Sequence, residues 1–489
     1  MELLFVFLVF YFFLINIVLF SFFYFVHFNS PTHLILQYLN SEWENMPWVP
    51  IRNMDGIMQQ WKNLPTFLIC EYVMYLGTLL AFIHARFNSS LDLWYASWIC
   101  GTANDIFFMF LPFCDNFWQA QATIMLTPRL PLYIVCMYVV LIYFSNTAAR
   151  RYGLKSPLAE SMLTGLLAAV LYGVYDLNGP RYLWWTWHDS DAAIYERLGG
   201  APIGSTMWIL TYSCLCNLLF RWCSRNGFHE ITATTKDVIL HFSNFKTLNN
   251  PSIQAMVFKI TNALDRWQEK KRSGPIALLI LFVCCACTPL FMVLLGQFSI
   301  FSLDIAGKPG IRTLTLTCLV FVSVVVMRGL CHSERQPSIS KIVGSNNQNN
   351  QRCCYQYGSG GFGDVFIGWF LIFWFVIHLW MMVSFDSSTH ISTGVHQTYA
   401  VQCDNSSLAY DIMGFERLDS ICGVGPIDAS KMDYKLCLQE VGTEGILGSD
   451  TEWYSVCGVE NELSIVEMNR MVLLVVIGIV GYSKAFFFS

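Results

Sequence analysis

The 489-residue chain is 55% hydrophobic and 13% charged, with a mean hydropathy of +0.46 and a formal net charge of −5. A soluble domain usually carries about 25% charged residues, so the balance excludes an ordinary soluble protein and indicates a multi-pass membrane protein. The negative net charge, with no basic stripe, argues against nucleic acid as a partner.

Ten stretches are apolar over roughly the 20 residues needed to cross a bilayer. They lie at 3–28, 65–85, 91–112, 130–149, 158–178, 204–223, 275–300, 311–331, 364–384 and 470–488. The predicted fold class is all-α, a polytopic transmembrane bundle of about ten spans with a small disulfide-bonded lumenal or extracellular segment. The first run, Leu3 to Phe28, follows Glu2 and lacks the basic start, short apolar core and small-residue cleavage site of a secretory signal. It is read as a retained helix. Residues 1–60 hold that helix and a lumenal loop, and 61–225 form a closely connected core of five spans.

Span five is expected to break at Asn178-Gly179-Pro180, where a loop rich in tryptophan and carboxylates begins. Residues 226–274 form a cytosolic loop whose amphipathic-looking stretch IQAMVFKITNALDRWQEKKR suits either the membrane surface or the flank of the bundle. A transmembrane hairpin at 275–332, a polar low-complexity linker at 333–363 and a span at 364–384 follow. A lumenal segment at 385–469 and a last span within 470–489 complete the order.

Lys and Arg collect in the connections after spans four, six and eight, which puts those connections in the cytosol. Residues 385–469 then fall on the lumenal or extracellular side, with both termini cytosolic, in the secretory pathway or plasma membrane. That segment also carries the sequon at Asn405 and four cysteines, Cys403, Cys422, Cys437 and Cys457. An even number in a polar, oxidising setting predicts two disulfides, whose pairing sequence leaves open. The other thiols are read as reduced, Cys353 and Cys354 with palmitoylation as the alternative. The same map puts the Asn88 sequon in a cytosolic turn, unmodified.

Two strings mimic known sites without their context. GSGGFGDVF at 358–366 looks like a kinase glycine-rich loop, yet a span follows at once with none of the partner segments. Cys284, Cys285 and Cys287 crowd an apolar helix without nearby His or Asp, and no metal or other cofactor is predicted.

The intramembrane carboxylates carry the stronger signal. Glu71 lies roughly 9 Å into span two at 1.5 Å per residue, and Asp105 sits at a similar depth in span three. Asp176 closes span five. By the predicted topology all three occupy the lumenal half of the bilayer, beneath the loop holding Trp184, Trp185, Trp187, His188 and Asp189. An acid in lipid is costly, so it faces a bundle interior or water. Glu71, Asp105 and Asp176 are therefore the candidate catalytic residues, and the five loop residues the candidate substrate contacts. A protonated carboxyl in apolar surroundings can deliver a proton, and tryptophan faces stabilise a developing cation. The same loop also suits an interfacial aromatic belt, and Asp176 also suits a helix cap.

Residues 61–225 resemble the carotenoid-biosynthesis membrane proteins, which include carotenoid hydratases. The likeness rests on Glu71, the Asn104-Asp105 break, TPRLPLYIV at 127–135, Asp176, WWTWHDSD, and Gly-Gly-Ala-Pro at 199–202 before Trp208. It covers about a third of the chain. It implies a helical membrane bundle, in some members adding water across a polyene double bond. The first span, the long cytosolic loop and the Cys-bearing segment depart from that pattern. Three functions follow: acid-assisted chemistry on an isoprenoid-like or lipid substrate, a proton- or cation-coupled transporter, or a non-catalytic surface protein. Protein partners are not legible.

Overall fold

The computed structural model describes residues 50–110, 117–187, 197–223, 319–330, 362–393 and 463–488, apart from 89, 128, 155, 199–200 and 321. Short strand pieces at 408–410, 416–418 and 438–439 complete the described residues. The helices are α1 (Met54–Asn63), α2 (Pro65–Phe87), α3 (Leu91–Phe110), α4 (Leu132–Arg151), α5 (Pro157–Arg181), α6 (Ile203–Cys223), α7 (Phe362–Ser384) and α8 (Ile465–Phe487). Between them run β1 (Phe117–Gln119), β2 (Trp185–Trp187), β3 (Arg197–Leu198), β4 (Ala201–Pro202) and β5 (Ser392–Thr393). β6 (Leu408–Tyr410), β7 (Glu416–Leu418) and β8 (Leu438–Gln439) lie in the long polar segment.

The protein is an integral membrane protein of the helical kind. Six described helices are long and apolar enough to cross a bilayer: α2, α4, α5, α6, α7 and α8. α3 is the same length as α4 and follows α2 after a tight turn. Predicted spans 3–28 and 275–300 lie outside the described residues, and 311–331 is seen only as helix at 319–320 and 322–330. The count of about ten thus rests on sequence.

Position in the bundle follows from which faces are apolar. α4 is buried all round, from Tyr133 to Ala149, as expected of a helix without a polar face. Its polar groups then need partners on its neighbours. Thr78 of α2 donates to the Cys136 carbonyl at 3.1 Å. Tyr175 of α5 donates to Tyr133 at 3.4 Å, and Asn146 donates to Asn217 of α6 at 2.6 Å. Ser145 pairs with Tyr482 of α8 at 2.7 Å. On the α7 side, Phe144 meets Phe370 with ring centroids 5.5 Å apart. The bundle therefore takes in α7 and α8 beside the spans of 61–225. Large apolar side chains remain exposed on α2 (Leu76, Leu79), α7 (Trp369, Phe373) and α8 (Leu473, Val476), where a bilayer would cover them.

Helix ends gather at two poles. At one, Arg52 N–H donates to Thr123 O at 2.9 Å, Ala120 N–H to Trp184 O at 2.8 Å, and Ile391 N–H to Asn63 O at 2.9 Å. β1 and β2 pair antiparallel at the same pole. At the other, His84 of α2 and Arg151 of α4 both reach Asp364 of α7, at 2.8 and 2.5 Å.

α5 does not break at Asn178-Gly179-Pro180 as expected but runs on to Arg181. Pro180 falls in the last turn, where its missing N–H removes a single helical bond. The stop comes at Leu183, whose φ of 56° puts it in the left-handed region. Trp184 N–H then donates back to Gly179 O and Leu183 N–H to Pro180 O, the paired bonds of a Schellman cap. Gly179 is required because the Trp185 ring lies where a side chain would stand.

Asn88 caps α2, its side-chain amide donating to His84 O at 2.9 Å. Asn405 and the four cysteines of 385–469 lie outside the described residues, and among the described residues Cys70, Cys100, Cys136, Cys214 and Cys216 are in the thiol form. Glycosidase treatment of the expressed chain should shift its mobility. Asn405→Gln should abolish that shift and Asn88→Gln should leave it intact; the reverse would invert the topology.

Candidate functional site

Glu71, Asp105 and Asp176 stand on α2, α3 and α5, and each is 0% exposed, so none faces lipid. The link between them runs through phenols. Tyr133 is within electrostatic range of both Glu71 and Asp105, and Tyr172 of both Asp105 and Asp176. Their surroundings differ, and that difference sorts their roles.

Glu71 is saturated. Its Oε1 accepts from the Tyr75 hydroxyl and from Thr123 N–H, both at 2.8 Å, and its Oε2 accepts from the Thr123 hydroxyl at 3.0 Å. Arg52 lies within electrostatic range and donates to Gln121 O at 3.0 Å. The carboxylate fastens the 119–131 connection to the bundle.

Asp176 is paired. Ser205, in the first turn of α6, donates to its Oδ2, and the Tyr172 hydroxyl bonds to it. Arg470 of α8 lies within electrostatic range and donates to Thr206 at 3.0 Å.

Asp105 has neutral company. Its Oδ1 accepts from the Tyr138 hydroxyl at 3.1 Å and from Asn104 Nδ2 at 3.4 Å. Asn104 Nδ2 also donates to Tyr138 at 2.6 Å, closing a triangle of phenol, amide and carboxyl. Gly101, one turn before Asp105, makes this approach possible, because the Tyr138 side chain occupies the place of a Cβ there. Rings surround the group. Tyr138 lies 6.0 Å from Trp208 and 5.7 Å from Tyr212, and Trp208 stacks on Tyr212 at 5.1 Å. Tyr172 lies 6.5 Å from Trp208, and Tyr212 donates to Cys100 O at 2.5 Å. Trp208 is only partly buried and forms the outer wall.

The tryptophan loop enters the bundle. Trp184 and Trp185 are buried, Trp185 stacking on Tyr175 at 4.8 Å. Trp187 belongs to β2, but its side chain, like His188 and Asp189, lies outside the described residues. Trp184 Nε1 donates to the Thr66 hydroxyl at 3.0 Å, which sits 2.9 Å from His390 Nε2. His390 Nδ1 is 2.9 Å from Asp386 O. A carbonyl only accepts, so Nδ1 carries the proton and Nε2 accepts from Thr66. Sequence reading passed over His390, an isolated histidine in a polar stretch. It also passed over Tyr138, Tyr172 and Tyr212, because phenols on apolar helices carry no pattern that separates site from core. Among the described residues no group of three or more His, Cys, Asp or Glu side chains could hold a metal ion.

Residues 11–235 are similar to a family described as a domain of unknown function, DUF7802. The matched stretch is under half of the 489 residues, yet it holds all three carboxylates and the rings around Asp105. No curated protein and no solved structure matches the chain.

Two outcomes follow from this geometry. Glu71→Ala strands the Thr123 donors and should cost about 2 kcal/mol or more, read as a lower unfolding midpoint in detergent. Any activity should persist where that variant remains folded. His390 titrates at about 4 rather than 6.5, chiefly because burial disfavours its charged form, with Asp386 opposing weakly. As pH falls the unfolded chain takes up this proton first. The contribution is therefore full above about 6.5 and lost progressively towards 4, by up to about 3 kcal/mol. Unfolding midpoints measured across that window should fall for the unaltered chain and flatten in His390→Gln; equal slopes would remove the assignment.

Proposed function

We propose that the protein binds an apolar, isoprenoid-like or lipid substrate in the interior between α3, α4, α5 and α6, and that Asp105 acts on it as a general acid. One observation carries this reading. A fully buried carboxyl is bonded only to neutral donors on one oxygen and stands among Tyr138, Tyr172, Trp208 and Tyr212. An ionised carboxylate there would be a charge without a counter-charge in an apolar interior, so the group is read as carrying its proton on Oδ2. Transfer of that proton to one carbon of a double bond leaves a cation on its neighbour, next to ring faces that stabilise positive charge. Water then forms the C–O bond and returns its proton to Asp105, so that alkene plus water gives alcohol. The resemblance of 61–225 to carotenoid hydratases supports this reaction class. Asp176, bonded by Ser205 and Tyr172, is assigned a positioning role that holds Tyr172 against the site. Glu71 is assigned a fastening role.

A proton-coupled transporter is the second reading. It is favoured by the polar side chains spaced along the buried helix α4, Tyr133, Tyr138, Tyr143, Ser145 and Asn146, which lie from one end of the helix towards the other.

The test uses the full chain in proteoliposomes with an acyclic polyene, scored by mass spectrometry for the gain of one water. Asp105→Asn keeps the hydrogen-bonding shape and should lower turnover by about 100-fold or more, with the unfolding midpoint nearly unchanged. Proton flux abolished by the same substitution, without any chemical product, would replace the enzyme with the transporter.

A further inference from the structure

Beside the acid, Asn104 holds a second observation that the acid role does not use. Asn104 is 1% exposed and Asp105 0%. Among the described residues neither Asn104 Oδ1 nor Asp105 Oδ2 has a hydrogen-bond partner. Their other atoms are engaged together on the Tyr138 hydroxyl, Asn104 donating to it and Tyr138 donating on to Asp105. That triangle fixes both side chains, so the two remaining oxygens are held rather than free to turn and find other donors. Buried acceptors left without donors cost about 1–3 kcal/mol each, and native proteins keep few of them outside functional sites.

With a proton on Oδ2, the two atoms differ in kind: Asp105 donates and Asn104 Oδ1 accepts. One donor and one acceptor on adjacent residues suit a single hydroxyl, which has one hydrogen to give and lone pairs to receive. An aldehyde, ether or hydrocarbon terminus offers no hydrogen and leaves Asn104 Oδ1 stranded. An ammonium group would need Asp105 ionised.

Resting on the acid reading above, we infer that Asn104 Oδ1 and Asp105 Oδ2 form a subsite for a hydroxyl carried by the apolar ligand. The site thus engages its reaction from the alcohol side: an isoprenoid or lipid alcohol with its O–H seated on this pair and its chain among the rings. From there the balanced step is dehydration. Asp105 protonates the hydroxyl, the C–O bond breaks with loss of water, and the cation returns a proton from the adjacent carbon to the Asp105 carboxylate. This is the hydration step reversed, and it needs no co-reactant. Asn104 is the specificity residue, since it alone of the pair requires a hydrogen from the ligand.

The experiment measures binding of geranylgeraniol and of its methyl ether to the full chain in detergent, followed by tryptophan fluorescence. The ether keeps the chain and the oxygen but has no hydrogen to donate. The alcohol should bind at least about tenfold more tightly, and Asn104→Leu should erase that difference while leaving ether affinity unchanged. The comparison in the unaltered chain stands by itself if the variant fails to fold. Equal binding of the two probes overturns the hydroxyl subsite and leaves apolar binding in place. Binding of neither probe overturns the substrate reading as well.

Discussion

Burial of α4 on every side is the constraint from which the rest of the structure follows. A helix surrounded by other helices cannot send its polar side chains to water, so each must be met by a neighbour. Cys136 O, Tyr138, Ser145 and Asn146 each find a partner on a different helix. These bonds fix the rotation of α4, and with it the facing surfaces of α2, α3, α6 and α8. Small residues set how closely the neighbours come. Without Gly101, the Tyr138 side chain could not lie against α3 and its hydroxyl could not reach Asp105.

The same constraint separates three buried carboxylates that share a chemistry. Glu71 meets a hydrogen-bonding connection, Asp176 meets a serine and a guanidinium, and Asp105 meets a phenol and an amide. Charge is tolerated where donors or a cation compensate it and disfavoured where neither is present. Only Asp105 combines complete burial, neutral partners and surrounding ring faces, which is why the proposed chemistry centres there. At one pole, backbone bonds join 50–53, 119–131 and Trp184, and Thr66 meets His390.

α7 and α8 belong to this arrangement as closely as the earlier spans. Asn178 at the end of α5 donates to His378 O at 2.9 Å, Tyr182 to Met381 O at 2.7 Å, and Trp374 to Leu171 O at 3.1 Å. Arg470 joins α8 to Thr206 of α6 at 3.0 Å and lies within electrostatic range of Asp176. Residues 11–235, the part similar to DUF7802, therefore meet helices from beyond that stretch at the site itself.

Sequence determined the class of the protein, most of its span positions and the inward orientation of its acids. The reasons are general: about 20 apolar residues are what a bilayer requires, and a carboxyl in such a run must turn away from lipid. It also singled out Asn104-Asp105 and Asp176. The extent of α5 was misjudged, because Asn-Gly-Pro reads as a break unless one knows that the Trp185 ring fills the space beside Gly179. Only the tertiary structure could rank the acids. Which carboxylate is saturated, paired or left with an unmatched oxygen depends on Thr123, Arg470 and Tyr138, residues separated from their partners by 33 to 294 positions. No local pattern encodes such distant pairings; packing around α4 brings them together.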